Sequence, residues 1–185
     1  MSLARGACRS PLIAVLGLVA ALLAAPAMAR FQFNVTRSPD FDPAALERVL
    51  VVTAECHESL DCRRLEREVA NELIKLHRPF RVLFGEDVYS ELLRTGHERY
   101  STDLRETLAQ AFDADALLEI SAPHAAPGMA TRRRSEIKIT LRLVRPAGQI
   151  LFLGEGTGRP KNTVSSPEKA GGEVAERVFE DVFGS

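Results

Sequence analysis

The hydrophobic positions of this chain follow two patterns, continuous apolar runs and stripes with a helical period. Residues 48–54, RVLVVTA, form a continuous β-branched run, which is typical of a strand covered on both faces. The next stretch predicts an amphipathic helix that is closed by Pro79, and its apolar stripe consists of Leu65, Val69, Leu73 and Leu76.

Two further apolar runs have the length of strands, FRVLF at residues 80–84 and ALLEISA at residues 116–122. Between them, residues 86–96 and residues 101–112 have the spacing of helices, with polar residues suited to a helix start in the second segment. Strands that are separated by helices predict a parallel portion of a sheet with right-handed crossovers.

The last third of the chain predicts a hairpin and a helix. Residues 136–144, EIKITLRLV, alternate strictly between apolar and polar side chains, as in a half-buried antiparallel strand. After the turn sequence RPAGQ, residues 150–156, ILFLGEG, return as its partner. Ser165 and Glu168 form a possible capping box for the final helix, whose buried row is predicted to be Val174, Val178 and Val182.

Together these elements predict a single α/β domain over residues 46–185, in the order β-α-β-α-α-β-β-β-α. We expect a layered architecture with helices flanking a mixed sheet, in which a parallel start is followed by an antiparallel closing hairpin at the edge. Residues 30–45, which contain Pro39 and Pro43, are predicted to form an extended leader before the domain.

Residues 1–29 have the pattern of a secretory signal peptide. A basic start, MSLARGACRS, is followed by an apolar run over residues 12–23 and by the small-residue ending AMA. Because the apolar run is short for a transmembrane helix, we expect cleavage after Ala29 and no stable membrane anchor afterwards. The predicted location is therefore the periplasm, with Arg30 as the first mature residue.

The charge balance and the motifs limit the classes of partner. The chain carries 24 Lys and Arg against 25 Asp and Glu, a formal net charge of −1. This balance gives no reason to expect nucleic acid as a partner. The glycine-rich stretch GEGTGRPKN fits neither of the common phosphate-binding spacings, so we expect no cofactor.

Cys56 and Cys62 flank the predicted turn between the first strand and the first helix, for which Ser59 is the expected N-cap. In an oxidising compartment this placement favours a structural disulfide. A reactive pair remains open as an alternative, because a helix N-terminus lowers the pKa of a thiol. With His57 the cysteines supply fewer than the four ligands of a structural zinc site, so no metal is expected.

Two features are candidates for binding. Arg132, Arg133 and Arg134 form the densest positive cluster, which suits carboxylates or phosphates of a partner. Gly154 and Gly156 lie in the strand predicted at the edge of the sheet, where they leave room for another backbone to add a strand. The simpler interpretation of both is a solvated loop and a flexible edge.

The order of these motifs resembles a group of bacterial envelope proteins. RVLVVTA, FRVLFGEDVYSELL, LAQAFDADALLEISA and ITLRLVRPAGQILFLGEG look like the amino-terminal domain of TolB, the LpoB-type activators of penicillin-binding proteins and the core of CsgG-type lipoproteins, over residues 46–183. Unlike these families, the sequence is expected to lack a propeller, a lipobox and barrel-forming insertions. The resemblance implies an envelope protein that binds other proteins, and it supplies no catalytic residues.

We therefore expect an exported periplasmic accessory protein of the envelope or of a secretion machinery, which acts by binding protein partners without catalysis. The alternative is a small secreted redox or hydrolytic enzyme that uses Cys56, Cys62 and His57.

Overall fold

A computed structural model describes residues 31–126, 136–159 and 165–184 of the chain. Within these segments it has six strands and four α-helices. The strands are β1 Phe31–Arg37, β2 Arg48–Cys56, β3 Arg81–Leu83, β4 Ala116–Ala126, β5 Glu136–Val144 and β6 Ile150–Gly158. The helices are α1 Cys62–Lys75, α2 Glu86–Arg94, α3 Arg105–Phe112 and α4 Pro167–Phe183.

The strands form one mixed sheet in the order β1-β6-β5-β4-β2-β3. β2 pairs in parallel with both β3 and β4. The remaining pairs, β4 with β5, β5 with β6 and β6 with β1, are antiparallel. The predicted fold class, an α/β domain with a parallel start and an antiparallel hairpin, is confirmed. The hairpin of β5 and β6 lies inside the sheet, however, and not at its edge.

Helices cover the sheet on both faces. On one face α1 and α4 pack side by side and bury the predicted rows, which include Leu65, Val69 and Leu73 of α1 and Val174, Val178 and Val182 of α4. Their partners on the sheet include Val51, Leu118, Ile139 and Leu141. On the other face α2 and α3 bury a smaller cluster that includes Leu50, Val52, Val88, Leu92 and Leu108. The two faces of β2 are therefore both buried, as its continuous apolar run predicts.

The segment assigned to a leader contributes a strand to the sheet. β1 pairs along its whole length with β6, and Phe31 and Val35 pack against the larger core. Phe41, farther along the same segment, places its ring 5.7 Å from Phe183 and 6.0 Å from Phe152, centroid to centroid. The alternation F-Q-F-N-V-T over residues 31–36 is the signal of a half-buried strand, and the two following prolines obscured it.

The first helix begins two residues later than the sequence predicts. Asp61 is the N-cap of α1, and its Oδ1 accepts a hydrogen bond from the backbone N of Arg64 at 3.0 Å. Ser59 was expected in this role, but its hydroxyl lies 2.8 Å from Nδ1 of His57 instead. At the start of α4 the N-cap is Ser166. No helix within the described segments is both long and apolar enough to cross a membrane.

Candidate functional site

The candidate site lies where the parallel strands diverge. β4 pairs with β2 as far as Cys56, whereas β3 pairs only with Arg48, Val49 and Leu50. Beyond Leu50, the side of β2 that faces β3 has no strand partner among the described residues. A cleft of about 600 Å³ opens there, at the carboxyl ends of the parallel strands, which is where open α/β sheets usually bind ligands.

Both helical layers contribute walls to the cleft. α1 supplies Cys62, Arg63 and Glu66 from one face of the sheet, and α2 supplies Val88, Tyr89 and Leu92 from the other. The end of β2 forms the back of the cleft, and the loop from Glu98 to Tyr100 closes its far side. The lining combines aliphatic and aromatic walls with charged groups, which is the usual character of a binding site.

Glu66 forms the floor of the cleft. Its side chain is 2% exposed, and its carboxylate accepts hydrogen bonds from Thr53 Oγ1 at 3.2 Å, Gly85 N at 3.1 Å and the Tyr89 hydroxyl at 3.1 Å. Burial raises the pKa of the Glu66 carboxyl, and these hydrogen bonds oppose the shift. The carboxylate thereby joins β2 to the loop after β3 at the point where the two strands separate.

Tyr89 is held between Glu66 and Arg63. The guanidinium carbon of Arg63 lies 4.4 Å from the centre of the Tyr89 ring, and Nη1 of Arg63 lies 3.4 Å from Oε1 of Glu86. Burial, followed by the charge of Glu66, raises the pKa of the Tyr89 hydroxyl. This tyrosine therefore remains a neutral hydrogen-bond donor to Glu66.

A second buried carboxylate holds Tyr100, on the opposite side of the cleft. The Tyr100 hydroxyl lies 2.5 Å from Oε1 of Glu119, which also accepts hydrogen bonds from Arg105 at 2.7 Å and 2.9 Å. Nη2 of Arg142 lies 2.9 Å from Oε2 of Glu119, at an angle that does not make a hydrogen bond, so this contact is electrostatic. Two arginines thus compensate one buried charge, which is the condition for keeping it inside a protein.

The structure joins Cys56 and Cys62 in a disulfide with an Sγ–Sγ distance of 2.15 Å. The bridge ties the end of β2 to the first turn of α1, on the wall of the cleft. His57 lies in the same turn, where its Nδ1 accepts a hydrogen bond from the backbone N of Ser59 at 3.2 Å. Within the described residues there is no group of three or more His, Cys, Asp or Glu side chains placed to hold a metal.

The prediction that another chain adds a strand at Gly154 and Gly156 is wrong, because β1 already pairs with that edge of β6. These glycines serve the packing of α4. A Cβ atom at Gly154 would collide with Val178, and one at Gly156 would collide with Val174. Glycine in a strand often marks a close approach of another element. Here the approaching element is α4 of the same chain and not a strand from another protein.

The remaining predicted binding residues, Arg132, Arg133 and Arg134, lie outside the described residues. The cleft itself was missed by sequence reasoning. One signal for it exists, since Glu66 has helical spacing to Val69, Ala70 and Leu73 and so lies on the buried face of α1. A carboxylate on the buried side of a helix needs partners, and a search for them leads to the cleft.

No protein-family model matches the sequence, and no curated protein matches it. Among solved structures, the fold is similar to PelC from Paraburkholderia phytofirmans, which was crystallised as a dodecamer. The TM-score is 0.58 at 14% identity, and the match covers 80% of this chain and 94% of that one. A point variant of the same PelC gives a TM-score of 0.57.

The lipoprotein GNA1162 from Neisseria meningitidis is similar as well. Its TM-score is 0.50 at 19% identity, and the match covers 75% of this chain and 99% of the lipoprotein. The chain therefore shares its fold with a group of small α/β proteins, and one member of that group is a lipoprotein. The specific resemblance to TolB, LpoB-type activators and CsgG-type cores stays a hypothesis.

Proposed function

We propose that this chain is an exported accessory protein of the bacterial cell envelope that acts by binding other protein chains, without catalysis. The observation that carries the proposal is the shared fold. One similar structure is a lipoprotein, a class that is held at membranes, and another assembles as a dodecamer. The predicted signal peptide over residues 1–29 also supports export.

The open edge of the sheet gives this proposal a physical basis. β1 has no strand on its outer side among the described residues, and over residues 31–36 its apolar side chains, Phe31, Phe33 and Val35, alternate with polar ones. Phe33 is 44% exposed, although it is a large apolar side chain. An edge strand of this length with an exposed aromatic ring is a template for adding a strand from another chain.

The arginine cluster remains a second candidate surface. Arg132, Arg133 and Arg134 lie between the end of β4 and the start of β5 in the sequence. Three arginines in one segment suit the carboxylates of an acidic protein partner, and exposed charges act more weakly at high salt.

The test combines a measurement of assembly with capture of partners. The mature chain would be examined by mass photometry for self-association and used, with chemical crosslinking, to capture proteins from an envelope extract at low salt. Phe33→Lys is expected to weaken assembly or capture through the β1 edge, with Leu93→Lys as control because Leu93 is also an exposed apolar residue, at 65%.

The arginine surface is tested in the same experiment. Changing Arg132, Arg133 and Arg134 together to alanine is expected to reduce capture at low salt with the melting temperature nearly unchanged, since exposed charges alter stability by less than about 0.5 kcal/mol. The control changes Arg64, Arg67 and Arg177 to alanine, which removes the same charge from exposed helix positions. A wild-type chain that neither assembles nor captures any protein would overturn the proposed function.

A further inference from the structure

The cleft has an unpaired strand edge as its back wall. The five residues of β2 from Val52 to Cys56 all line it, and the side of the strand toward β3 has no neighbouring strand there within the described chain. The buried carboxylate of Glu66 occupies the innermost part of this edge through its contact with Thr53. Farther out, the edge is open to an extended backbone from outside, as in recognition by strand addition.

The rim of the cleft carries an excess of acidic groups. Glu55, Glu58 and Glu98 are exposed and line the cleft, and none of them forms an ion pair in the described part of the chain. Of the two arginines that line it, Arg63 is already paired with Glu86, and the exposed Arg99 offsets one of the three negative charges. Three unpaired carboxylates beside apolar walls suit a cation on an aliphatic stem, which is the chemistry of Lys and Arg side chains.

The interior of the cleft can receive such stems. Its walls include Leu60, Val88 and Leu92, together with the rings of Tyr89 and Tyr100. Both tyrosine hydroxyls are engaged with buried carboxylates, so the rings are held in fixed positions. The disulfide between Cys56 and Cys62 fixes the end of β2 against α1. A site that is already ordered loses less conformational entropy on binding.

We infer that this cleft binds an extended basic segment of a partner protein. The backbone of the segment adds to the free edge of β2, and its Lys or Arg side chains meet the carboxylates of Glu55, Glu58 and Glu98. The inference rests on the proposed function, because it names the kind of partner and the place where one partner binds.

The first experiment measures binding of short synthetic peptides to the full mature chain by fluorescence anisotropy. The probes are acetylated and amidated peptides that alternate leucine with arginine, leucine with glutamate, or leucine with serine. Only the arginine peptide is expected to bind, and spermidine is expected to compete poorly because it lacks a peptide backbone. Equal competition by spermidine would show that a cation alone is recognised, and would overturn the inference.

The second experiment tests the strand edge itself. Two N-methylated forms of the arginine peptide are compared, one methylated at the leucines and one at the arginines. In an extended peptide, successive amide groups point to opposite sides, so only one of the two forms should lose binding. If both forms bind as well as the parent peptide, the backbone does not add to β2.

Variants locate the site. Changing Glu55, Glu58 and Glu98 together to Gln is expected to weaken binding of the arginine peptide by about fivefold or more, since each exposed ion pair contributes modestly. The control changes Glu47, Glu106 and Glu176 to Gln, which removes the same charge from exposed positions that do not line the cleft. Equal losses in the two variants would mean that only the overall charge attracts the peptide, and would contradict the inference.

The experiments distinguish a failure of the proposed function from a failure of the inference about the cleft. If the chain captures or assembles with proteins and none of the peptides binds, the proposed function stands and the cleft is not the site. If the arginine peptide binds and the cleft variant does not affect it, binding occurs elsewhere and the inference is overturned.

Discussion

Glu66 shows how one residue can link two strands that do not pair with each other. Its carboxylate accepts hydrogen bonds from Thr53 on β2 and from Gly85 after β3, so it replaces ladder contacts that the short β3 cannot make. The same burial that makes this contact effective raises the pKa of the carboxyl. The contribution of Glu66 to the free energy of unfolding therefore depends on pH.

We predict that comparison with Glu66→Gln reveals this pH dependence. Folded Glu66 keeps its proton above its ordinary pKa of 4.5, while the unfolded chain releases it. The wild type should therefore be most stable relative to the variant below pH 4.5, and this difference in unfolding free energy should decrease as the pH rises through the raised folded pKa. Urea denaturation over a pH series measures it, with Glu106→Gln as control. A difference that increases with pH would contradict the prediction.

The disulfide is the second feature that acts at this scale. Changing both Cys56 and Cys62 to alanine is predicted to lower the free energy of unfolding by about 2 kcal/mol, because the bridge closes a short loop and restricts the unfolded chain. Urea denaturation of the variant, compared with oxidised wild type, measures the effect, and wild type in reductant should show a similar loss. The sequence favoured this pairing but left a reactive pair open. Two free thiols in protein recovered from the periplasm would contradict the prediction.

At the scale of elements, the contact between α4 and β6 depends on glycine. A Cβ atom at Gly158 would lie 2.7 Å from the carbonyl oxygen of Ala170 in α4. A backbone oxygen cannot rotate away as a side chain can, so the helix would have to move. On the other side of the same interface, Gly171 and Gly172 bring α4 close to Leu65 and Glu68 of α1. Small residues thus set the spacing of both layers.

We predict that Gly158→Ala destabilises the fold by about 1–3 kcal/mol, the usual cost of forcing extra volume into a packed interface. Thr157→Ala is the control, since Thr157 is the neighbouring residue and points to the other face of the sheet. Thermal unfolding followed by circular dichroism measures both variants. An equal or smaller loss for Gly158→Ala would show that α4 does not press on β6 as the structure indicates.

Several elements follow from the local pattern, and others do not. The alternation of Ile137, Ile139 and Leu141 predicts β5 correctly, because a strand with one buried face needs only its own sequence to be recognised. The glycines of β6 indicate a close approach, but the sequence does not say of what. Their partner, α4, is brought to them only by tertiary packing, and the same is true of β1, whose pairing with β6 spans most of the chain.

At the scale of the whole molecule, export is the property that the sequence predicts and that the fold leaves open. We predict that the exported protein begins at or near Arg30 and stays in solution without detergent. The reason is the small-residue ending AMA after a short apolar run. Intact-mass measurement of the protein from a periplasmic extract checks both points. A mass that includes residues 1–29 or an attached lipid would contradict the prediction.

The sequence by itself determined the α/β class, the order of the elements from β2 to α4 and the buried rows, because these depend on periodicity within single segments. Only the tertiary structure decided which strand lies at the edge, how the glycines are used and where the cleft is. β1, and not the hairpin, forms one edge of the sheet, and β3 ends early enough to leave β2 open. Glu66, Tyr89 and Tyr100 come from separate elements, so the site exists only once α1, α2 and the loop before Tyr100 converge on the end of β2. No local pattern encodes that convergence, since it depends on the packing of whole layers.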